Sequence, residues 1–243
     1  MLVRREPSTS TRSPQLREHR MQAVCSVVMG DPCQEDNERY PSGHPMRHPP
    51  EQKSRSREKL VRASASLAKQ QGFAGSGVDA LASAAGFTSG AFYRHFEGKD
   101  ELLSSIVETE LEATRARFAT IEPRDEAQLL HALDAYLSLA HVRHPEAGCV
   151  LPPLASEVGR APDETKKVFE RALSELMAVL SEKVGDSSVA FAILNQCVGA
   201  VMIARGLATD NAKHEVLAAA RQSVRQGIAS LRGVPPPRTQ GPG

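Results

Sequence analysis

The stretch that most constrains the fold runs from Gly72 to Leu102 and reads GFAGSGVDALASAAGFTSGAFYRHFEGKDEL. Its first half predicts a short helix over residues 78–85, where apolar residues recur at helical spacing. Gly86 follows this helix. Helices commonly end at a residue in the left-handed conformation, and glycine is the usual residue there. A second short helix is predicted over residues 88–96, with a threonine or a serine at its start to cap it. Two short helices joined by a three-residue turn are typical of a helix-turn-helix.

The second of these helices is predicted to have a polar outer face. Phe92 and Phe96 lie four residues apart and are expected to face inward. The side chains left outside include a hydroxyl, a phenol, a guanidinium and an imidazole, which can donate hydrogen bonds to phosphates and base edges. The residues of this outer face are Ser89, Gly90, Tyr93, Arg94 and His95. The pattern therefore predicts that this helix contacts DNA.

The same stretch resembles the DNA-binding domain of the tetracycline-repressor (TetR) family of bacterial regulators. The family pattern runs from a glycine that closes the second helix, through a threonine, a glycine and a Tyr-x-His-Phe segment, to a lysine and a leucine that open the fourth helix. The matching residues are Gly86, Thr88, Gly90, Tyr93, His95, Phe96, Lys99 and Leu102. One position departs from the pattern, because Ser76 is followed by Gly77 where the family usually carries two hydroxyl residues. The glycine can still cap the helix, but it brings no hydroxyl for a phosphate.

The resemblance implies an all-α fold. A three-helix N-terminal helix-turn-helix domain is expected to precede a larger helical domain for ligand binding and dimerisation, with about nine helices in all. We place the DNA-binding domain at residues 53–99 and the second domain at residues 100–232. The implied function is that of a cytoplasmic transcriptional repressor. A homodimer of this kind binds a palindromic double-stranded DNA operator, from which a small-molecule effector releases it.

The expected DNA contacts divide by role. Bases are expected to be read by Ser89, Gly90 and Arg94. Phosphates are expected to be held by Tyr93, His95 and Lys99, the last at a helix N-terminus whose dipole already favours an anion. The predicted DNA-binding set is completed by Arg55, Ser76 and Thr88. Arg55 joins the set because basic residues cluster where the first helix begins.

Charge is distributed unevenly along the 243 residues. Residues 53–99 contain eight Lys or Arg against three acidic residues, whereas residues 100–243 contain 15 against 19. A basic N-terminal part on a mildly acidic body is typical of a DNA-binding protein with a separate second domain. The 40% hydrophobic content is enough for a sizeable core. Four cysteines without a regular framework fit a reducing cytosol.

The two ends of the chain lack a periodic apolar pattern. Residues 1–52 hold seven of the sixteen prolines and are predicted to be disordered, or translation starts at Met46. The proline-rich tail, residues 233–243, is also predicted to be disordered. Cys25, Cys33, His44 and His48 contain two histidines at a spacing that zinc sites use. Seven residues separate the two cysteines, which is too many for a finger, so no metal site is predicted.

The second domain is predicted to end in an interface between two chains. Its predicted helices cover residues 99–121, 125–143, 151–159, 162–184, 188–206 and 211–231. The helix over residues 188–206 is apolar nearly all round, and polar residues interrupt it, so we predict a buried helix and not a membrane span. The last helix carries a heptad-like apolar seam. Residues predicted at a four-helix dimer interface are Val201, Leu217, Val224 and Ile228.

No arrangement of residues typical of catalysis occurs in the sequence, so we predict neither an enzyme nor a cofactor. An uncharged or weakly acidic hydrophobic effector is expected in the second domain, because the low aromatic content disfavours a cage for a cation. The predicted ligand-binding residues are Leu111, Phe118, Tyr136, Phe169 and Cys197. Two alternatives remain open: a dimeric, ligand-independent DNA-binding or architectural protein, and a thiol-redox sensor using Cys149 and Cys197.

Overall fold

The computed structural model describes residues 50–231, and within them every regular element is helical. The all-α prediction is therefore confirmed. The predictions for the disordered extension up to residue 49, the start at Met46, the rejected zinc site and the tail from residue 233 lie outside the described residues.

Ten α-helices and one 3-10 turn make up the described part of the chain. They are α1 (Pro50–Gln71), α2 (Val78–Ala84), α3 (Ser89–Phe92), α4 (Lys99–Ala119), α5 (Glu126–Tyr136), α6 (Leu139–Arg143), α7 (Leu151–Val158), α8 (Asp163–Val184), α9 (Ser187–Gly206) and α10 (Asp210–Ser230), with the 3-10 turn (Pro145–Ala147) between α6 and α7.

Local capping chemistry sets several helix ends. The Thr88 side chain accepts a hydrogen bond from the Ala91 N–H and so caps α3, and Asp186 caps α9 in the same way through Val189. Gly86 ends the turn after α2 with φ 73°. This left-handed backbone disfavours any residue with a Cβ, which explains the glycine there.

The first three helices enclose a small aromatic core. Leu60 of α1, Leu81 of α2 and Phe92 of α3 are fully buried. Phe73 and Phe96 complete this core from the loops, and the rings of Phe92 and Phe96 lie 5.5 Å apart. Because these buried rings come from both halves of the motif, they fix the angle between α2 and α3.

The recognition helix α3 is shorter than the sequence predicts. Regular helix ends at Phe92, and the chain continues to Phe96 in hydrogen-bonded turns. The Arg94 N–H donates to Ala91 O and the His95 N–H to Phe92 O, a tight pattern between residues three apart.

The helix predicted over residues 125–143 is broken in two. The break at Leu137 and Ser138 separates α5 from α6, and the Ser138 side chain caps α6. Two carbonyls at the end of α5 are bonded to side chains: Tyr136 O to His141 Nδ1 at 2.7 Å and Leu137 O to Arg221 Nη1 at 2.7 Å. These partners compensate for the helical bonds that the break removes.

The four residues assigned to the dimer interface lie inside a single chain. Val201, Leu217, Val224 and Ile228 are all buried between α9, α10 and their neighbours. This corrects the assignment, because the heptad seam of α10 is satisfied by α9 of the same chain. The outer side of α9 is exposed instead: Phe191 is 44% exposed, Met202 46% and Ile203 58%.

Helix α9 is long and apolar enough to cross a membrane by length and composition alone, with a mean hydropathy of 1.7. A single helix of this kind is weak evidence for a membrane span, since core helices pass the same test. One side of α9 packs against α8 and α10 within the chain, which leaves only its outer stripe without cover.

Candidate nucleic-acid interface and ligand cavity

The outer face of α3 and the turn after it is open. Tyr93 is 60% exposed, the highest value among the exposed large hydrophobic side chains in residues 50–231. Arg94 and Gly90 are exposed beside it. A Cβ on Gly90 would meet nothing nearer than Thr88 Oγ1, at 3.9 Å. The three residues therefore form a projecting face to which a phosphate or a base edge has free access.

Basic side chains from α1 extend this face. The pKa of His95 is lowered by its partial burial and then by the charges of Lys53, Arg57 and Arg94. Because all three cations act on the same imidazole, those of α1 and that of the recognition turn lie on one side of the domain. Arg57 is held there by stacking 4.6 Å from the centre of the Phe96 ring. Arg55, predicted to contact DNA, is exposed on α1. Lys53, Arg57 and Arg94 thus bring positive charge to one side, as phosphate binding requires. Arg55 lies two residues from both α1 cations and so faces another side of the helix.

Several predicted DNA-binding side chains already have partners inside the chain. Ser76 is buried and its Oγ donates to Gly72 O at 2.8 Å. Lys99 Nζ donates to Phe73 O at 3.0 Å and to Ala74 O at 3.2 Å. Ser89 Oγ is bonded to Asp79, and Thr88 is occupied as the cap of α3. The structure thus favours Tyr93, Arg94, Gly90 and Arg55 as the freely available contacts.

A clamp missed by the sequence interpretation joins the two parts of the molecule. The Glu157 carboxylate, at the end of α7, accepts hydrogen bonds from the Phe73 N–H at 2.8 Å and the Ala74 N–H at 2.5 Å. Lys99, the first residue of α4, binds the carbonyls of the same two residues. The loop between α1 and α2 is therefore held by two elements, through its N–H groups by the end of α7 and through its carbonyls by the first residue of α4.

A cavity of about 440 Å³ opens between α4 and α5. Its lining residues are Thr114, Arg117, Phe118, Thr120, Ile121, Ala127, Gln128, His131, Ala132, Tyr136 and Cys149. A smaller chamber of about 30 Å³ lies further in and shares Thr114, Phe118, Tyr136 and Cys149 with the outer cavity. Aliphatic side chains from α5 and α7 to α9 make up most of its remaining wall.

The cavity brings together three of the five predicted ligand-binding residues. Phe118 and Tyr136 line both compartments, and Cys197 lines the inner chamber. Leu111 is fully buried in the core and Phe169 is partly buried against it, and neither lines the cavity. Sequence reasoning missed Arg117, whose position on the cavity side of α4 depends on how α5 packs.

A buried histidine supports the floor of this cavity. His141 accepts a hydrogen bond at Nε2 from the Cys149 N–H, at 3.1 Å. Its pKa is lowered to about 4, mainly by burial, which also leaves it neutral. Gly148 has no room for a side chain, because a Cβ there would lie 2.5 Å from the His141 ring. Lys69 of α1 reaches the same place and donates to Gly148 O at 3.1 Å.

Both described cysteines are free and buried. Burial raises the pKa of Cys149 and raises that of Cys197 to about 12. Thiols in this state hold their protons near neutral pH and are poor nucleophiles.

Comparison with known proteins agrees with this geometry. Residues 60–106 match the family model described as bacterial regulatory proteins, tetR family. A search of curated proteins found no match. The matched range includes α2, α3 and Arg94, whereas Lys53, Arg55 and Arg57 at the start of α1 precede it. The match therefore falls on the helix-turn-helix part of the candidate nucleic-acid interface.

Solved structures share the fold over most of their length. A TetR transcriptional regulator from Chloroflexus aurantiacus has a TM-score of 0.59 at 22% identity, over 72% of this chain and 97% of that one. Reduced NemR from E. coli has a TM-score of 0.58 at 21% identity, over 70% and 96%. FadR from Bacillus subtilis, solved in complex with stearoyl-CoA, has a TM-score of 0.55 at 15% identity, over 71% and 97%.

These identities are low, so the structural likeness establishes the fold, while the match over residues 60–106 establishes the type of DNA-binding domain. Fold, motif and exposed basic face agree with one another. Residues 60–106 form a DNA-binding domain of the type described by the model of the tetR family of bacterial regulatory proteins.

Proposed function

We propose that the protein is a homodimeric transcriptional repressor that leaves a palindromic operator when a small effector enters the cavity beside α4. The observation that carries this proposal is the exposed face of Gly90, Tyr93 and Arg94, flanked by basic residues of α1. Such a face supplies phosphate contacts for affinity and a guanidinium for base reading. Operator binding places the protein in the cytoplasm.

We propose that the exposed outer side of α9 packs against a second copy of the chain. Its outer stripe exposes Phe191, Met202 and Ile203, which a soluble helix buries where it can. Ser223 of α10 is bonded to Gln196 of α9 at 2.8 Å, so the two helices present one continuous surface. Two such helix pairs form a four-helix interface. A two-fold dimer then sets its recognition helices roughly 34–36 Å apart, one turn of DNA.

Helix α4 is the proposed connection between the cavity and DNA. Its 21 residues span about 30 Å. Phe118 lies at the cavity end of the helix. At the other end, Lys99 donates a hydrogen bond to Phe73 O in the loop before α2. Glu157 holds the same loop from α7. A ligand that tilts α4 would change the spacing of the recognition helices, and a coupling of about 1–3 kcal/mol weakens operator binding 5- to 150-fold.

The two alternatives are less well supported. A purely architectural protein has no use for a cavity of about 440 Å³ lined by polar and apolar groups. A thiol-redox sensor needs a cysteine that ionises readily, whereas burial raises the pKa of both Cys149 and Cys197.

The test is to recover genomic fragments bound by the purified full-length protein and to sequence them. A regulator of this class should enrich a short palindrome whose half-site centres lie one DNA turn apart. Enrichment without a shared sequence would support the architectural alternative. Effector release has a separate, reciprocal test: ligand affinity must fall when operator is saturating, and equal affinities with and without operator would refute release.

A further inference from the structure

The cavity beside α4 combines an unpaired cation with an apolar interior. Arg117 lines the outer compartment, and its Nη2 donates to Thr114 Oγ1 at 3.2 Å. The structure gives its guanidinium no carboxylate partner within residues 50–231. No Asp or Glu is among the residues that line either compartment. A guanidinium in such surroundings favours an anionic ligand and disfavours a cation.

Three carboxylates in the neighbouring segments of the chain have partners other than Arg117. Glu110, about two turns before Arg117 on α4, is paired with Lys69 at 2.8 Å. Asp125 is bonded to Gln128 through the backbone N–H at 3.0 Å and the side-chain amide at 2.8 Å. Glu112 is paired with Arg115. The charge of Arg117 is therefore left for a ligand.

A second polar group lies between the two compartments. Tyr136 is 6% exposed and lines both, yet its hydroxyl makes no hydrogen bond in the described part of the chain. Burial, and then the neighbouring Cys149 thiol, raise the pKa of Tyr136, but sulfur is a weak acceptor and gives the hydroxyl no hydrogen bond of good geometry. A buried hydroxyl without a partner costs free energy, which a ligand acceptor would recover.

The inner chamber accepts only apolar groups. Leu176, Leu180 and Ile193 are among its buried walls. Its volume of about 30 Å³ admits the end of a hydrocarbon chain or the edge of a ring, while the outer 440 Å³ holds the rest of a small molecule. Arg117 lies in the outer compartment and Tyr136 where the two compartments meet, whereas the inner chamber is apolar.

We infer that the effector is an amphipathic organic monocarboxylate, with its carboxylate on Arg117, an oxygen accepting from the Tyr136 hydroxyl and its apolar end in the inner chamber. This inference rests on the proposed function, since it names the ligand class of the same cavity. One guanidinium matches one carboxylate through a planar fork, whereas a polyphosphate would need more cations than the cavity offers.

Three probes of equal chain length test the charge requirement: decanoate, decanol and decylammonium. Calorimetric titration of the full-length protein without DNA should show binding of decanoate, with decanol weaker by about 10-fold or more and decylammonium weakest. Equal affinity for decanoate and decanol, or tighter binding of decylammonium, would overturn the inference.

Two variants locate the binding site. Arg117→Gln should weaken decanoate binding about 10- to 100-fold and leave decanol unchanged. Tyr136→Phe should weaken decanoate about 2- to 10-fold. Because it removes an unsatisfied hydroxyl, Tyr136→Phe should not lower the melting temperature of the free protein. Arg115→Gln, on the same helix but paired with Glu112, is the matched control and should leave binding unchanged. An equal loss in Arg115→Gln and Arg117→Gln would refute the assigned contact.

Binding of DNA fragments is measured on the same protein samples. If DNA binding is selective but none of the three probes binds, the ligand class is wrong and the regulator proposal stands. If decanoate binds through Arg117 but DNA binding is unselective, the ligand class stands and the regulator proposal fails.

Discussion

The molecule has two regions that present their functional groups in opposite ways. Residues 50–98 build a small aromatic core and project Tyr93, Arg94 and Gly90 outward from one short segment. Residues 99–231 enclose a cavity whose walls come from α4, α5 and, further along the chain, α7 to α9. A projecting face depends on a few neighbouring residues, whereas an enclosed cavity depends on the packing of a whole domain. Substitutions in the two regions should therefore have different consequences.

The largest effect is expected from Val224→Glu in the second region. Val224 is buried within one chain, so the new carboxylate would be desolvated without a partner, at a cost of several kcal/mol. We expect the monomer itself to unfold, as measured by chemical denaturation. A folded Val224→Glu monomer would indicate instead that Val224 lies in the interface between two chains.

Ile203→Glu is the matched substitution on the outside of α9. Ile203 is 58% exposed in the single chain, so a charge there leaves the fold intact and disrupts only contact with a second copy. Sedimentation should show a folded monomer with weakened operator binding. A stable Ile203→Glu dimer would exclude the α9 stripe as the interface.

Acid should destabilise the second region through His141. Its folded pKa of about 4 lies below the ordinary 6.5, so between these values the unfolded chain binds a proton that the folded chain does not. Stability should fall as the pH falls from 6.5 to about 4, by up to roughly 3 kcal/mol from this group. The measurement is urea denaturation across this range, in which His141→Gln should show a shallower pH dependence than the native chain. Identical slopes would contradict a neutral buried His141.

The first region could be interpreted from sequence because its determinants are local. Thr88 caps α3 through Ala91, and the rings of Phe92 and Phe96, four residues apart in the chain, lie side by side. The positions of Lys99 and Ser76 were missed because the motif indicates which residue types are present and not which partners they find. Lys99 turns to two carbonyls about 25 residues away in sequence, which leaves its ammonium one of three donors for another partner.

The second region depends on contacts that no local pattern records. The break after α5 is stabilised by Arg221, which is 84 residues from Leu137 in the chain. The clamp on Phe73 uses Glu157, also 84 residues away. Cys197 and Tyr136, both predicted to bind the ligand, line the same inner chamber. Arg117 was not singled out because arginines on a helix are usually solvated.

Arg94→Ala and Arg55→Ala should separate base reading from phosphate binding in the first region. Loss of Arg94 should cost about 1–3 kcal/mol on the operator and relax one base position. Loss of Arg55 should weaken all sequences alike and reduce the slope of log affinity against log salt by about one. Fluorescence anisotropy at several salt concentrations measures both. Arg171→Ala, whose partner is Glu108 in the second region, is the control and should change neither quantity.

The smallest effect is expected from Glu157→Gln, which weakens the clamp between the regions. A neutral amide oxygen still accepts one hydrogen bond, so the loss in stability should be about 1 kcal/mol. The informative readout is the coupling between ligand and operator, which should decrease while each separate affinity changes little. Glu170→Gln, an exposed residue of α8, is the control. Unchanged coupling in Glu157→Gln would exclude this clamp from the switch.

The most direct test of DNA recognition by α3 and its basic surroundings is the ratio of affinities for the recovered palindrome and for random DNA of equal length at physiological salt. The native protein should prefer the palindrome by about a thousandfold or more, and Arg94→Ala should lower that ratio by at least about fivefold while leaving the affinity for random DNA nearly constant. A native ratio near one, or a ratio that Arg94→Ala leaves untouched, would contradict sequence recognition by this face.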